Sequence, residues 1–249
     1  MSVKSIQLIA FFLLIGTTII AQEALPFTWQ NIFTKNYGAR QAVLSPDGSM
    51  VAITASTPTQ SGIFLKKIGS PELPQFWIAG NAPAWFSDSP KIVFTSQGDL
   101  WTIEVGQTTP KRLTNDKVGE RAPQPSPDGQ KVAFYSGRSG YQDIWTVQAD
   151  GSGNLQQVTQ KAMAADDFRF APSWSPDSKQ IAYYSFKGDY WEDDIWVVDI
   201  ATGKERQVSK NLMAMSKPVW SPDGQQIALF ANAKAEYWYE DLQLSLIHI

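Results

Sequence analysis

The sequence predicts an all-β protein, a β-propeller of about five blades whose last blade is incomplete. Three observations support this prediction. A short turn motif recurs along the chain, a second motif follows each copy at a similar distance, and the spacing between copies is nearly constant. Such self-similarity decides the architecture, because each repeat is one structural unit that packs against its neighbours.

The first motif is a turn that leads into a strand. One copy is Ser126-Pro127-Asp128-Gly129, followed by the β-rich run 130–134. Proline presets φ in a tight turn, Asp and Ser bond their own backbone there, and Gly adopts the left-handed conformation. An Ala at the second apolar position of the run indicates a neighbouring sheet close by. Further copies begin at Ser45, Ser175 and Ser221, and a degenerate copy spans 86–90.

The second motif is Asp followed by Ile or Leu and usually Trp, and it begins another strand of each unit. A turn and a short closing strand follow it, as in Arg206-Gln207-Val208-Ser209. One unit therefore contains three or four strands. The copies are Asp99-Leu100-Trp101, Asp143-Ile144-Trp145, Asp194-Ile195-Trp196 and Asp241-Leu242-Gln243.

The spacing of the first motif sets the fold class. Ser45 and Ser126 are 81 residues apart and enclose two units, whereas the next two intervals, ending at Ser175 and Ser221, are 49 and 46 residues. A period of roughly 40–50 residues with four strands per unit is typical of a β-propeller.

These repeats resemble the WD40-like, PD-type repeats of TolB-like propellers. They resemble equally the propeller in front of prolyl oligopeptidase-family serine peptidases, including the dipeptidyl peptidase IV and acylaminoacyl peptidase branches. The resemblance runs from about Phe27 to Leu242. It is specific for the type of repeat and does not separate these families.

Residues 1–21 are interpreted as a secretory signal peptide. Lys4 supplies the positive charge, residues 6–20 form an apolar run, and Ala21 is a small residue at the expected cleavage point. The alternative is a retained membrane anchor, for which the run is short. The signal predicts a secreted or periplasmic bacterial protein, with the propeller domain over residues 22–243.

Composition excludes several classes of function. The net charge of −3 argues against a nucleic-acid partner, which requires a basic surface. The absence of cysteine excludes disulfides and thiolate metal sites. Ten Trp, eight Tyr and thirteen Phe can supply a large core instead. We expect no cofactor and no metal.

Two hairpins combine aromatic residues with carboxylates, at 186–194 and 235–241. They are candidates for a ligand rim, and the resemblance to dipeptidyl peptidases implies a role in holding a substrate amino terminus. The alternative is that Asp194 and Asp241 hold turns of the repeat and the other acids are solvated. Calcium binding is a third option, although the EF-hand spacing is absent. The candidate substrate-binding residues are Tyr190, Trp191, Glu192, Tyr237, Trp238 and Glu240.

No catalytic residue is predicted. The chain has one histidine, His248, and lacks the Gly-x-Ser-x-Gly nucleophile elbow. The sialidase Asp-box is not matched either, because Ser-Pro-Asp-Gly places the glycine one position too early. We expect the chain to have no active site of its own.

Residues 244–249, Leu-Ser-Leu-Ile-His-Ile, interrupt the fifth unit. They resemble a translated sequencing adapter, which predicts a non-native tail on a truncated propeller. The alternative is a short native strand. A blade that ends in this way leaves an unpaired edge, so the chain alone is expected to be poorly soluble.

Two functions remain open, beside a weaker third option in which the propeller is attached to another kind of hydrolase, such as an amidohydrolase. In the first, the chain is the non-catalytic propeller of a prolyl oligopeptidase-like serine peptidase, which gates a downstream α/β-hydrolase domain and selects peptide substrates. In the second, it is a TolB-like periplasmic propeller that binds a protein partner without chemistry. The short lead-in before Ser45 leaves no room for the domain that precedes TolB propellers, which favours the first function.

Overall fold

Five antiparallel sheets succeed one another along the chain in a computed structural model. The structure describes residues 38–249, apart from 117, 161–168, 187–192, 211–212, 215 and 233–241. These described residues contain no helix, and so they contain no helix that could cross a lipid bilayer. The architecture is that of a β-propeller, which confirms the predicted fold class and the count of about five blades.

The first four blades each have four strands in sequence order. Blade 1 contains β1 (Gly38–Leu44), β2 (Met50–Ser56), β3 (Ser61–Lys67) and β4 (Gln75–Ile78). Blade 2 contains β5 (Asn81–Trp85), β6 (Lys91–Ser96), β7 (Asp99–Glu104) and β8 (Lys111–Arg112). Blade 3 contains β9 (Glu120–Pro125), β10 (Lys131–Ser136), β11 (Asp143–Gln148) and β12 (Leu155–Gln157). Blade 4 contains β13 (Arg169–Trp174), β14 (Gln180–Phe186), β15 (Asp193–Asp199) and β16 (Glu205–Gln207).

Blade 5 has a broken first strand. It contains β17 (Met213–Ala214), β18 (Val219–Trp220), β19 (Gln226–Asn232) and β20 (Leu242–His248). Strands β17 and β18 pair with successive parts of β19, whose other edge pairs with β20 along its whole length. The predicted tail 244–249 thus lies within the third strand of this blade, and its non-native origin stays a prediction.

The Ser-Pro-Asp-Gly motif forms the turn between the first and second strands. In the first copy, Ser45 Oγ donates to Asp47 Oδ1 over 2.6 Å and accepts the backbone N–H of Met50 over 2.9 Å. Gly48, Gly129 and Gly224 have φ near +70°, which L-residues rarely adopt. The Ser45 hydroxyl and the neighbouring N–H groups lower the pKa of Asp47 to about 2. These repeated aspartates therefore build turns.

The recurring alanine faces the junction with the next blade, as the sequence predicted. Ala52, Ala133 and Ala182 are fully buried, each in a cluster with bulky apolar residues of the following blade. In blade 5 the corresponding Ala228 is half-buried. It pairs directly with Val219 and Leu246, which are 54% and 56% exposed, so this face of blade 5 is open in the described structure.

Tryptophan side chains link three of the junctions. Each stands just before the Ser-Pro-Asp turn and donates its indole N–H to a carbonyl in the first strand of the previous blade. Trp85 donates to Val43, Trp174 to Gln124 and Trp220 to Ser173, over 2.9–3.0 Å. Blade 3 has Pro125 at this position, so the junction between blades 2 and 3 is made differently.

Candidate functional site

The aspartate of the second motif forms a clamp between the third and fourth strands. In blade 3, Asp143 accepts the hydroxyl of Thr159 over 3.0 Å and the amide of Gln157 over 2.9 Å. Thr159 Oγ1 in turn accepts the N–H of Ile144 over 2.9 Å. The clamp closes the outer part of the blade around a fully buried carboxylate.

Blade 4 repeats this clamp. Asp194 accepts Ser209 Oγ over 3.0 Å and Gln207 Nε2 over 2.6 Å. Asp194 thus belongs to the repeat, where it joins the third and fourth strands of its blade, and the interpretation of its hairpin as a ligand rim stays a prediction. The equivalent Asp241 lies outside the described residues.

In blade 2 the clamp is different, because a residue of blade 3 takes part in it. Arg112 pairs with Asp99, but the hydroxyl of Thr114 donates to Glu120, which lies at the start of β9. Glu120 also accepts the N–H of Leu100 over 3.1 Å and pairs with Arg138.

Glu120 is the centre of a buried ionic cluster. Its side chain is inaccessible to solvent, and Arg138 joins it to Asp116, whose Oδ2 lies 2.6 Å from the guanidinium. Burial raises the pKa of Glu120 to about 7, against the opposing effects of the Thr114 hydrogen bond and the Arg138 charge. A carboxyl group with this pKa titrates near neutral pH.

The first strands of four blades meet around one cavity of about 440 Å³. This central pocket is lined by Gln41 of β1, Ala82 of β5, Thr95 of β6, residues 120–124 of β9, Tyr135 of β10, and Lys217, just before β18. The strands come together here because the first strand of each blade packs beside the first strand of the next.

Backbone bulges shape the wall of the central pocket. The pairing of β5 with β6 shifts between Asn81 and Ala84, and that of β9 with β10 shifts between Arg121 and Gln124. Ala82 and Ala122 lie in these bulges with φ of 50° and 48°. A bulged residue leaves the strand ladder, so its backbone groups are not committed to the sheet.

Lys217 is one of two cationic residues that line this pocket, together with Arg121. It is half-buried, and its Nζ donates to Oε1 of Gln124 over 2.5 Å. Burial lowers the pKa of the Lys217 ammonium to about 8. Among the described residues, the ion pairs are made by Arg112 and Arg138, so Lys217 has no carboxylate partner there.

The candidate rim residues Tyr190, Trp191, Glu192, Tyr237, Trp238 and Glu240 all lie outside the described residues. The ends of their hairpins are described. The chain leaves blade 4 after Phe186 and blade 5 after Asn232. These second-to-third-strand connections lie at the end of the propeller where the first strands begin, because Ser185 pairs with Arg169 just as Ser136 pairs with Glu120. Both hairpins thus start at the end that carries Glu120.

The sequence interpretation missed the pocket residues. Lys217 precedes Pro218 in a position where three other repeats have Ala82, Ala122 and Ala171 before a proline. Comparing the repeats for departures from the pattern identifies Lys217. Glu120 gives no such signal, because its role depends on Arg138 and Thr114, which only the fold brings to it.

The chain was then compared with known proteins. The family profile of the Tricorn protease N-terminal beta propeller domain matches residues 86–191. The uncharacterized protein Atu1656 of Agrobacterium fabrum is 27% identical over 131 residues, which cover 48% of this chain and 43% of that protein. A TolB homolog of Chlorobium chlorochromatii is 30% identical over 100 residues, covering 38% and 23%. The matches span less than half of the length of these curated relatives.

Solved structures share the fold over most of the chain. TolB from Acinetobacter baumannii superposes with a TM-score of 0.63 at 20% identity, covering 85% of this chain and 52% of that one. A puromycin-hydrolyzing peptidase of Mycobacterium tuberculosis superposes with a TM-score of 0.66 at 14% identity, covering 86% and 36%. The chain thus has a β-propeller fold like that of TolB, and a peptidase structure shares this fold. Both groups that the sequence repeats resemble, TolB-like proteins and peptidases, are therefore among the proteins that share this fold.

Proposed function

We propose that this chain is a non-catalytic binding propeller that takes up an extended peptide segment of a partner or substrate at the central pocket. One observation carries the proposal: the first strands of four blades converge on an open cavity of about 440 Å³. Concave sites with apolar walls and a few placed polar groups are the usual form of a ligand site.

The groups around the pocket suit binding better than chemistry. Of the described residues that line it, none is a serine, cysteine or histidine. The one lining carboxylate, Glu120, is held by Arg138 and Thr114. A nucleophile needs an adjacent base to be activated, and these side chains provide no such pair.

A peptide backbone is the ligand that the bulged wall fits best. The bulges at Ala82 and Ala122 leave backbone groups outside the ladders, where they can bond an extended chain. The side chains of Gln41 and Gln124 also line the pocket and add donors and acceptors of both kinds.

A peptidase setting is the second candidate. The profile that matches residues 86–191 is that of a protease propeller, and a peptidase is among the structures that share the fold. In this setting the propeller gates and selects peptides for an α/β-hydrolase domain of the same protein, and all catalytic residues lie in that domain. In the TolB-like setting, the propeller binds a protein partner instead of a peptide substrate.

We place the protein in the periplasm or outside the cell. The support is the apolar run at residues 6–20 behind Lys4, together with the similarity to TolB homologs. Under this proposal residues 1–21 are removed as a signal peptide.

Photocrosslinking in the producing cells tests the binding proposal. A benzophenone amino acid in place of Thr95, in the pocket, is expected to crosslink a peptide or protein. The same replacement of Thr108, in the exposed turn of the same blade, is the matched control. Equal crosslinking from both positions, or none from Thr95, would contradict the proposal.

A fluorophosphonate probe separates the two settings. This reagent labels activated serines, so it is applied to the native protein recovered with an antibody against this chain. Labelling of the same polypeptide supports the peptidase setting. Lack of labelling, with the Thr95 crosslink retained, supports the TolB-like setting.

A further inference from the structure

We propose that the central pocket contains a carboxylate-binding subsite built on Lys217, so that the bound peptide is recognised through an acidic group. The inference rests on the proposed peptide binding and names the chemical class that the pocket selects. It concerns the position where the fifth repeat has a cation and three other repeats have alanine.

The replacement puts a long cationic side chain where blades 2 and 3 have only the methyl group of an alanine. Ala82 and Ala122, at the equivalent positions of blades 2 and 3, line the same pocket as Lys217. The three positions therefore face one cavity, and only in blade 5 does the residue carry charge. A lysine placed there for packing alone would pay the desolvation cost of its ammonium without compensation.

Gln124 holds the ammonium in place. Its Nε2 donates to the carbonyl of Pro123 over 2.7 Å, which leaves Oε1 for Lys217 Nζ at 2.5 Å. The backbone of Gln124 is itself fixed, since its carbonyl accepts the indole N–H of Trp174. An ammonium has three donors, and the amide oxygen occupies one of them.

Among the described residues that line the cavity, the charge left without a partner is positive. Arg121 also lines the pocket and is exposed. The acid in the lining, Glu120, is turned to Arg138, Thr114 and the N–H of Leu100. Two cations and one compensated acid favour an anionic ligand, and the neighbouring alanines, Pro123 and Tyr135 provide apolar walls for the chain that bears it.

A carboxylate on a peptide can be its C-terminus or an Asp or Glu side chain. Three probes distinguish these sources: acetyl-Ala-Ala-Ala with a free C-terminus, acetyl-Ala-Glu-Ala-amide and acetyl-Ala-Gln-Ala-amide. The third probe differs from the second only in lacking the charge.

The experiment is an NMR titration of protein labelled with ¹³C in the lysine side chains, with the Lys217 signal assigned from Lys217→Ala. At least one carboxylate probe is expected to shift the Lys217 ¹³Cε signal and to bind at least tenfold more tightly than the glutamine probe. The probe with the larger effect identifies the source of the carboxylate.

Lys217→Ala introduces the residue that three other repeats have at this position, so it is expected to fold, and it should abolish the tenfold preference. The exposed Lys179→Ala is the matched control and should keep it. A preference that survives Lys217→Ala, or equal binding of all three probes, would overturn the subsite. That failure differs from the failure of the proposed function, which is the loss of the Thr95 crosslink.

Discussion

The junction between blades 2 and 3 and the junction between blades 3 and 4 use equivalent positions of the repeat but are held differently. Between blades 3 and 4, neutral groups make the links: the indole of Trp174 donates to Gln124, and Ser178 Oγ accepts the N–H of Asp128 over 3.1 Å. Between blades 2 and 3, Pro125 replaces the tryptophan, and Glu120, which pairs with Arg138 of its own blade, accepts the Thr114 hydroxyl and the Leu100 N–H of blade 2.

The difference teaches that the repeat fixes the backbone while each junction has its own chemistry. At the first of these junctions Phe86 stands where other repeats have the turn serine, and it is fully buried in the core shared by the two blades. The stability of the junction that contains the buried Glu120 should depend on pH near neutrality. The stability of the junction held by uncharged groups should not.

The largest effect is expected from breaking the clamp of blade 3. Asp143→Ala leaves the donors of Thr159, Gln157 and Ser139 without their acceptor. The expected loss in free energy of unfolding is about 4 kcal/mol, because buried donors become unsatisfied. Denaturant unfolding measures it.

The control for this prediction is Asp150→Ala, at an exposed turn of the same blade. Its loss should be much smaller. Similar losses for the two variants would contradict the view that the clamp, rather than turn formation, makes Asp143 important.

The next effect concerns the pH dependence of the ionic junction. The pKa of Glu120 is raised from 4.5 to about 7 in the folded protein. The folded state therefore binds the proton more tightly, and stability falls as pH rises from about 4.5 to about 7. The loss is about 3 kcal/mol, since one pKa unit corresponds to about 1.4 kcal/mol.

Glu120→Gln should not show this loss of stability. The free energy of unfolding of the wild type, minus that of the variant, should therefore fall by about 3 kcal/mol between pH 4.5 and 7. Unfolding curves measured between pH 4.5 and 7.5 test it, and Lys217 is present in both proteins, so its titration cancels in the difference. A difference between the two proteins that stays constant with pH would show that Glu120 does not ionise in this window.

A smaller effect is expected at the neutral junction. Trp174→Phe keeps the buried ring but removes the N–H that donates to Gln124, which should cost about 1 kcal/mol at every pH. Trp77→Phe removes an exposed indole hydrogen bond and serves as the control. A loss of stability in Trp174→Phe that depends on pH would contradict the distinction between the two junctions.

The smallest effect is expected at Ser178, which has φ of 61° where three other turns have glycine. Ser178→Gly relieves the left-handed strain but loses the bond from Asp128, so the net change should be less than about 0.5 kcal/mol. Ser178→Ala keeps the strain and loses the bond, and should cost about 1 kcal/mol. Equal losses in the two variants would show that the strain is negligible.

The repeat made most of the fold predictable. The Ser-Pro-Asp-Gly turns, the buried alanines and the strand-starting aspartates each depend on neighbours within a few residues or on a fixed spacing. The central pocket depends on residues from four blades. Lys217 could be found in the sequence as a departure from the repeat. Glu120 could not, because it belongs to blade 3 in the sequence but contacts Thr114 and Leu100 of blade 2 in the fold.

Binding at the central pocket is the main claim, and plugging the pocket tests it most directly. Gln41 is exposed in the first strand of blade 1 and lines the pocket, whereas Gln75 is exposed in the fourth strand of the same blade. Tagged wild type, Gln41→Trp and Gln75→Trp are recovered from the producing cells, and their associated proteins and peptides are quantified by mass spectrometry. We expect wild type and Gln75→Trp to recover the same partners and Gln41→Trp to lose them. Recovery of the same partners by Gln41→Trp would show that the pocket is not the binding site.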